Sequence, residues 1–308
     1  MADEMDADID MSLGERFRVY LNYLAGNPRP NELVVLGAGR MSQCLIDAFV
    51  AKECFSKSEV VPVTQSQKSV SKWIDRGFER ACTLTSYIQS QPPSANRIIM
   101  IGVKPQIRTE LFDVLAVARD LKLEAVMILS ILAGVTHTTL TKELSFLGPI
   151  PVVRLIPNIP SEIGAGVTLL YTNNEYVSKV SSALLRAAGE VFVLPESQFN
   201  AAAAVTGSGP AFVGLLVEGL ADGGVLAGLP RDKAFEMTLL MLKGSIQLML
   251  ETGIHPGQLK DKVCSAAGTT IAGVRELEKG GVRSALIECI KATSDRAYEL
   301  GNVDVNKK

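Results

Sequence analysis

The feature that most limits how this chain can fold is a change of rhythm at Pro195. Before it, short apolar runs alternate with longer segments of helical periodicity; after it, only the helical periodicity continues. Residues 33–36, 60–63, 98–103, 126–131, 151–156 and 167–171 read as strands, with 191–194 as a last one. Residues 41–51, 107–121 and 175–188 fall between them and read as helices. Strands that alternate with helices need crossover connections, so the pattern predicts a mainly parallel sheet buried on both faces.

Beyond Pro195, Pro210 suits the first turn of one long helix and Pro230 the start of another. Gly253 and His255-Pro256-Gly257 end the second. A short helix from Gln258 leads to a loop at Ser265, and further helices run from Thr270 and from about Arg283. With 308 residues the chain suits two cores, because single cores seldom grow beyond about 250 residues. The expected organisation is an N-terminal extension (1–30), an α/β Rossmann-like dinucleotide-binding domain (31–195) and an all-α domain (196–308). The extension reads as an appended arm: an acidic opening, then a short helix over residues 13–24 stopped by Pro28 and Pro30.

Composition narrows the function. A net charge of −2 offers no broad basic field for nucleic acid or an anionic membrane. The most apolar stretch, residues 211–229, is interrupted by Glu218 and Asp222, so no run of about 18 apolar residues is expected to span a bilayer. The acidic start is neither a secretory nor a transit signal, and a cytoplasmic location is expected. The five cysteines Cys44, Cys54, Cys82, Cys264 and Cys289 lack metal-ligand spacing and read as reduced thiols, with no metal site.

One segment has the setting that a dinucleotide fingerprint requires. Gly37-Ala38-Gly39-Arg40-Met41-Ser42 follows a strand and opens a helix. The first glycine permits a tight turn, the second lets the backbone approach a pyrophosphate, and the helix N-terminus offers free N–H groups. The same glycines also serve as a plain strand-to-helix turn, so both readings stand. At the end of the second strand no Asp or Glu is available for a ribose, whereas Thr64, Ser66 and Lys68 suit a 2′-phosphate. The expected cofactor is NADPH, with NADH the alternative. His137 and His255 read as structural, His255 as the brace of its Pro-Gly turn, and Asp222 as a hydrogen-bonding carboxylate.

The helical third carries Thr206-Gly207-Ser208-Gly209-Pro210, Ala221-Asp222-Gly223-Gly224, the segment from Glu251 to Asp261, and Val263-Cys264-Ser265-Ala266-Ala267-Gly268-Thr269-Thr270-Ile271. With the glycine turn, this set resembles the pyrroline-5-carboxylate reductase family, from about Leu33 to about Leu300. The resemblance implies NAD(P)H-dependent reduction of the cyclic imine 1-pyrroline-5-carboxylate to L-proline. It places Val103, Lys104 and Pro105 along the cofactor, Ala133 in a second cofactor turn, and Asn158 near the nicotinamide. It also places the substrate carboxylate on Ser265, Ala266, Ala267, Gly268, Thr269 and Thr270, with Thr270 near the ring nitrogen as the catalytic candidate. The loop departs from the family's Ser-Pro-Gly-Gly, and Ile159 departs from its Pro-Asn-Thr-Pro. Apolar residues on more than one helix face (Leu215, Leu216, Leu220, Leu239, Leu240, Leu248, Leu250) call for a partner surface, and the family implies an interlocked homodimer or a larger homo-oligomer. The alternatives are a related imine or β-hydroxyacid reductase and a cofactor-sensing protein without turnover.

Overall fold

The apolar runs condense into one sheet. The computed structural model describes residues 11–26, 29–90, 95–117 and 124–302; the acidic opening, Pro28 and the end of the 107–121 helix lie outside them. The strands are β1 (Asn31–Leu36), β2 (Val60–Thr64), β3 (Cys82–Thr83), β4 (Asn96–Ile101), β5 (Met127–Ser130), β6 (Val152–Ile156), β7 (Gly166–Tyr171) and β8 (Gly189–Val193). Their order is β3-β2-β1-β4-β5-β6-β7-β8. Every pairing is parallel except the antiparallel β6–β7 pair.

The chain runs outward from β1 in one direction and from β4 in the other. That reversal leaves a crevice beyond the strand ends, where ligands bind in open α/β sheets. Leu36 is in register with both Val63 and Ile101. The turns that follow these three strands therefore share one rim.

The helices of this region are α1 (Leu13–Ala25), α2 (Arg40–Ala51), α3 (Gln67–Asp75), α4 (Leu84–Gln89), α5 (Arg108–Val117), α6 (His137–Glu143) and α7 (Glu175–Leu185). A 3₁₀ turn, Arg186–Ala188, completes the expected 175–188 helix. Buried side chains of α1, α2, α3 and α7 cover one face of the sheet, and those of α4, α5 and α6 the other.

The expected appended arm is instead part of the core. Ser12 and Glu15 close a capping box at the start of α1, and Gly26 ends it in the left-handed conformation. Phe17 and Leu21 are fully buried, with the Phe17 ring 5.3 Å from that of Phe55. Arg18 holds Glu59 through its two terminal guanidinium nitrogens at 3.0 and 2.7 Å. Tyr176 of α7 donates to the Tyr20 carbonyl at 3.1 Å. A helix that buries two large side chains stabilises its domain by several kcal/mol, about 1.5–3 for each.

Next come α8 (Phe199–Thr206), α9 (Gly209–Leu226), α10 (Arg231–Thr252), α11 (Pro256–Val263), α12 (Thr269–Lys279) and α13 (Val282–Asn302). The chain forms two compact units: one runs to Gly207 and resumes at Asp295, and the other is Ser208–Ser294. This division and the expected boundary at 195/196 differ by α8. That helix buries Phe199 and Ala204 and sets the Phe199 ring 6.3 Å from Tyr171.

The second unit is short of a core. Among its described residues only Val217, Ala221, Ala234 and Thr238 are buried, all on the packed pair α9 and α10. Leu215, Leu240 and Leu250 are 72%, 62% and 80% exposed. Within Glu196–Leu226 an 18-residue window reaches a mean hydropathy of 1.3, enough by length and composition to cross a membrane. The expectation that Glu218 and Asp222 interrupt this stretch is corrected here: they do not bring its mean below that level. A break at Gly207 and Ser208 nevertheless divides it between α8 and α9.

Candidate functional site

A cleft of about 460 Å³ opens at the crevice beyond β1, β2 and β4. Its floor is the glycine turn. Gly37 has φ +89°, and a Cβ there would stand 2.6 Å from both the amide nitrogen and Cγ1 of Val103. Glycine is thus required twice, by conformation and by close approach. Gly39 differs: its backbone is extended, and a Cβ would meet nothing within 4 Å. No side chain caps α2, whose first turn also lacks acidic residues. Its first N–H groups carry the helix's positive end, the arrangement that suits a phosphate.

Ser42 explains how the third glycine position is filled. Its hydroxyl turns inward and donates to the Gly37 carbonyl at 2.8 Å. A Cβ on Gly102 would lie 2.0 Å from that hydroxyl oxygen, so Ser42, Gly37 and Gly102 are mutually fitted. Arg40 is held outward by Glu162, Nε to Oε1 at 3.1 Å. Behind the turn, burial and the neighbouring Glu162 carboxylate push the Cys44 thiol up to about 11. It therefore remains a thiol at neutral pH although it lies near a helix N-terminus.

Of the residues expected at the cofactor, Gly37, Ala38, Gly39, Thr64, Val103 and Lys104 line this cleft together. Lys104 is exposed, and no ion pair engages it among the described residues. Ser66 is the N-cap of α3, its hydroxyl accepting from the Ser69 amide at 3.3 Å, and Lys68 lies in the exposed first turn of that helix. Ser69, Gln65, Thr83 and Thr85 line the wall instead. The cue to the first pair was the Ser66 cap, which places Ser69 in the opening turn of a helix. Thr83 and Thr85 offered no such cue.

Ala133 and Pro105 follow β5 and β4 on the same rim without lining the cleft. Asn158 is held by backbone on both sides of its amide. It is buried, its Nδ2 donates to the Thr206 carbonyl at 2.9 Å, and its Oδ1 accepts from the Val167 amide at 2.8 Å. With both ends of the amide engaged by backbone, Asn158 is a tie between the loop after β6, β7 and α8.

The candidate substrate loop lies in the second unit. Gly268 donates its N–H to the Ser265 carbonyl at 3.1 Å, and a Cβ on it would lie 2.3 Å from Ser265 Oγ. Gly268 is also the N-cap of α12 and supplies no side-chain cap, so the Thr269 and Thr270 amides stand at an open helix N-terminus. Ala267 sits at φ +53°, a left-handed conformation that a Cβ disfavours by roughly 1–2 kcal/mol. His255 caps α11, its Nδ1 accepting from the Gly257 amide at 3.1 Å, and Asp222 pairs with Arg231 across the α9–α10 turn. Nε2 of the buried His137 contacts the Val152 carbonyl. All three have a partner within the fold, and no cluster able to hold a metal occurs among the described residues.

Residues 196–300 match the family described as pyrroline-5-carboxylate reductase dimerisation. The chain is 35% identical over 274 residues to a pyrroline-5-carboxylate reductase of Synechocystis sp., covering 88% of this chain and 98% of the relative. It is similar to the solved pyrroline-5-carboxylate reductase of Coxiella burnetii, with a TM-score of 0.74 and 27% identity over 88% of this chain and 98% of that one. The Plasmodium falciparum pyrroline carboxylate reductase, solved with NADP bound, shares the fold at a TM-score of 0.74 and 23% identity, covering 88% and 98% of the two chains.

Proposed function

The chain belongs to the pyrroline-5-carboxylate reductase family, and from that membership we propose that it reduces 1-pyrroline-5-carboxylate to L-proline with NADPH. The observation that carries the cofactor half is the glycine turn at the cleft floor. Gly37 admits no side chain, and the space above Gly39 is open. The residues fit a dinucleotide: the α2 N-terminus and Gly39 would hold the pyrophosphate, with Val103 and Lys104 along one wall. Thr64, Gln65 and Ser69 would take the ribose end, where the absence of a carboxylate on the β2 turn favours a 2′-phosphate. When bound, the cofactor supplies the hydride.

The rest is positioning by this chain's own groups. The open α12 N-terminus and the Ser265–Gly268 turn receive the substrate carboxylate. Thr270 donates a hydrogen bond to the ring nitrogen of the neutral imine and stabilises the negative charge that builds there as hydride reaches the adjacent carbon, before that nitrogen is protonated to the amine. Orientation of the two partners supplies most of the rate, since no strong acid is needed. Within this reading, residues 31–195 bind the cofactor and 196–308 form the helical domain through which copies assemble into a cytoplasmic homodimer or larger ring.

The test is NADPH oxidation by the purified chain with 1-pyrroline-5-carboxylate, with NADH run in parallel. Turnover faster with NADPH is expected; NADPH binding without oxidation would leave a sensing role in its place. Thr270→Ala is expected to lower kcat several-fold or more with NADPH affinity intact, and unchanged steady-state kinetics would remove Thr270 from the reaction. Ala267→Gly should act on affinity. Glycine adopts the left-handed loop conformation without the roughly 1 kcal/mol that alanine costs, so the binding-competent loop is more populated. The expected result is a KM for the imine lowered by up to about fivefold at constant kcat, and an unchanged KM would show that the loop is already fully formed.

A further inference from the structure

The single tryptophan of the chain lies against the glycine turn. Trp73 is on α3 and 4% exposed, and its Nε1–H donates to the Ala38 carbonyl at 3.2 Å. Ala38 stands between the two glycines of the turn. Its peptide link to Gly39 is held at both ends: the carbonyl by Trp73, and the Gly39 N–H by the Gly37 carbonyl at 2.8 Å. A peptide that precedes glycine flips easily when unrestrained, because glycine tolerates either sign of φ. A flip here would turn the Ala38 carbonyl dipole toward the mouth of the turn, against any anion.

A second tie fixes the helix that carries the indole. The Arg76 guanidinium stacks 4.5 Å over the Trp73 ring and reaches Asp47 of α2 at 2.5 Å. The end of α3 is thereby tied to the second half of α2, the helix whose first turn forms the floor. We infer that Trp73 is a positioning residue for the dinucleotide: its indole N–H locks the Ala38–Gly39 peptide so that the Ala38 carbonyl stays turned away and the pyrophosphate meets the free N–H groups of the first turn of α2. This rests on the cofactor reading above. The indole touches the turn and acts through it.

The experiment compares the intact enzyme with Trp73→Phe, which keeps an aromatic ring and removes the donor. Loss of one neutral hydrogen bond predicts a rise of about fivefold in Kd and KM for NADPH. The kcat at saturating cofactor and the KM for the imine stay within about twofold, a split that general loosening of the fold would not produce. Should Trp73→Phe fail to fold, benzothienylalanine at position 73 preserves the shape without an N–H and is expected to give the same split. In the unmodified enzyme, NADP+ does not absorb in the indole emission band and should still shift the Trp73 emission. Equal NADPH affinity in enzyme and variant would overturn the role of Trp73. An unmodified chain that binds no dinucleotide would instead overturn the cofactor reading itself.

Discussion

Gly37→Ala is expected to weaken NADPH binding by at least about 100-fold and to lower Tm by several degrees. The added methyl would stand 2.6 Å from the Val103 amide nitrogen and 2.8 Å from the Gly102 carbonyl carbon, in a residue held at φ +89°. These neighbours are backbone of the strand-end turn after β4 and cannot swing aside as a side chain does. The left-handed penalty of roughly 1–2 kcal/mol and overpacking of about 1–3 kcal/mol add at one point. The turn can relieve them only by moving away from β4, which displaces the start of α2. Gly39→Ala provides the contrast. Its methyl meets no protein atom within 4 Å, so Tm should hold while NADPH affinity still falls, because the methyl occupies the approach to the turn. Thermal melts and calorimetric titrations of both variants separate the two effects. Normal NADPH affinity in Gly39→Ala would mean that the pyrophosphate does not lie over this turn.

Leu240→Glu is expected to yield a chain that sediments as a monomer, turns over no imine and still binds NADPH normally. Leu240 is 62% exposed on α10, in a unit whose own buried residues are four. An apolar surface of that extent on a segment matching a dimerisation family needs a second copy to cover it. In a two-fold interface each substitution occurs twice. A penalty of about 3 kcal/mol per buried carboxylate becomes about 6 kcal/mol for the pair, or some four orders of magnitude in the dimer Kd. Cofactor affinity serves as the control, since every residue lining the cleft belongs to the other compact unit. An assembly that survives the change with full activity would place Leu240 outside the interface.

How much of this was legible in the chain depended on whether the signal was local. The strand runs and the glycine turn were readable because a continuous apolar run or a glycine at a turn is written into adjacent residues. The same holds for His255, whose acceptor role spans only two positions. β3 escaped because two residues carry no periodicity. α3 and α4 begin at the caps Ser66 and Thr83, yet each is so short that its apolar stripe (Val70, Trp73 and Ile74; Leu84, Tyr87 and Ile88) repeats only once. Asn158 shows what was not local. Its partners Val167 and Thr206 arrive only with the tertiary fold, and nothing in the Pro-Asn-Ile-Pro segment announced them. The buried pair of Glu32 and Arg97 was equally hidden, because a charge at a strand start looks solvated until the register places its partner beside it.

The packing of α1 also sets a timetable for synthesis. Phe17 has an early partner in Phe55, but the contacts of α1 with α7 and Tyr176 become possible only after Glu175 has been made. At ordinary elongation rates of about 5–20 residues per second, the roughly 150 intervening residues take on the order of 8–30 s. For that interval α1 exposes the part of its apolar face that α7 will cover. Closure of α1 on α7 joins an early helix of the unit to a late one, ahead of β8, α8 and the segment that returns from Asp295.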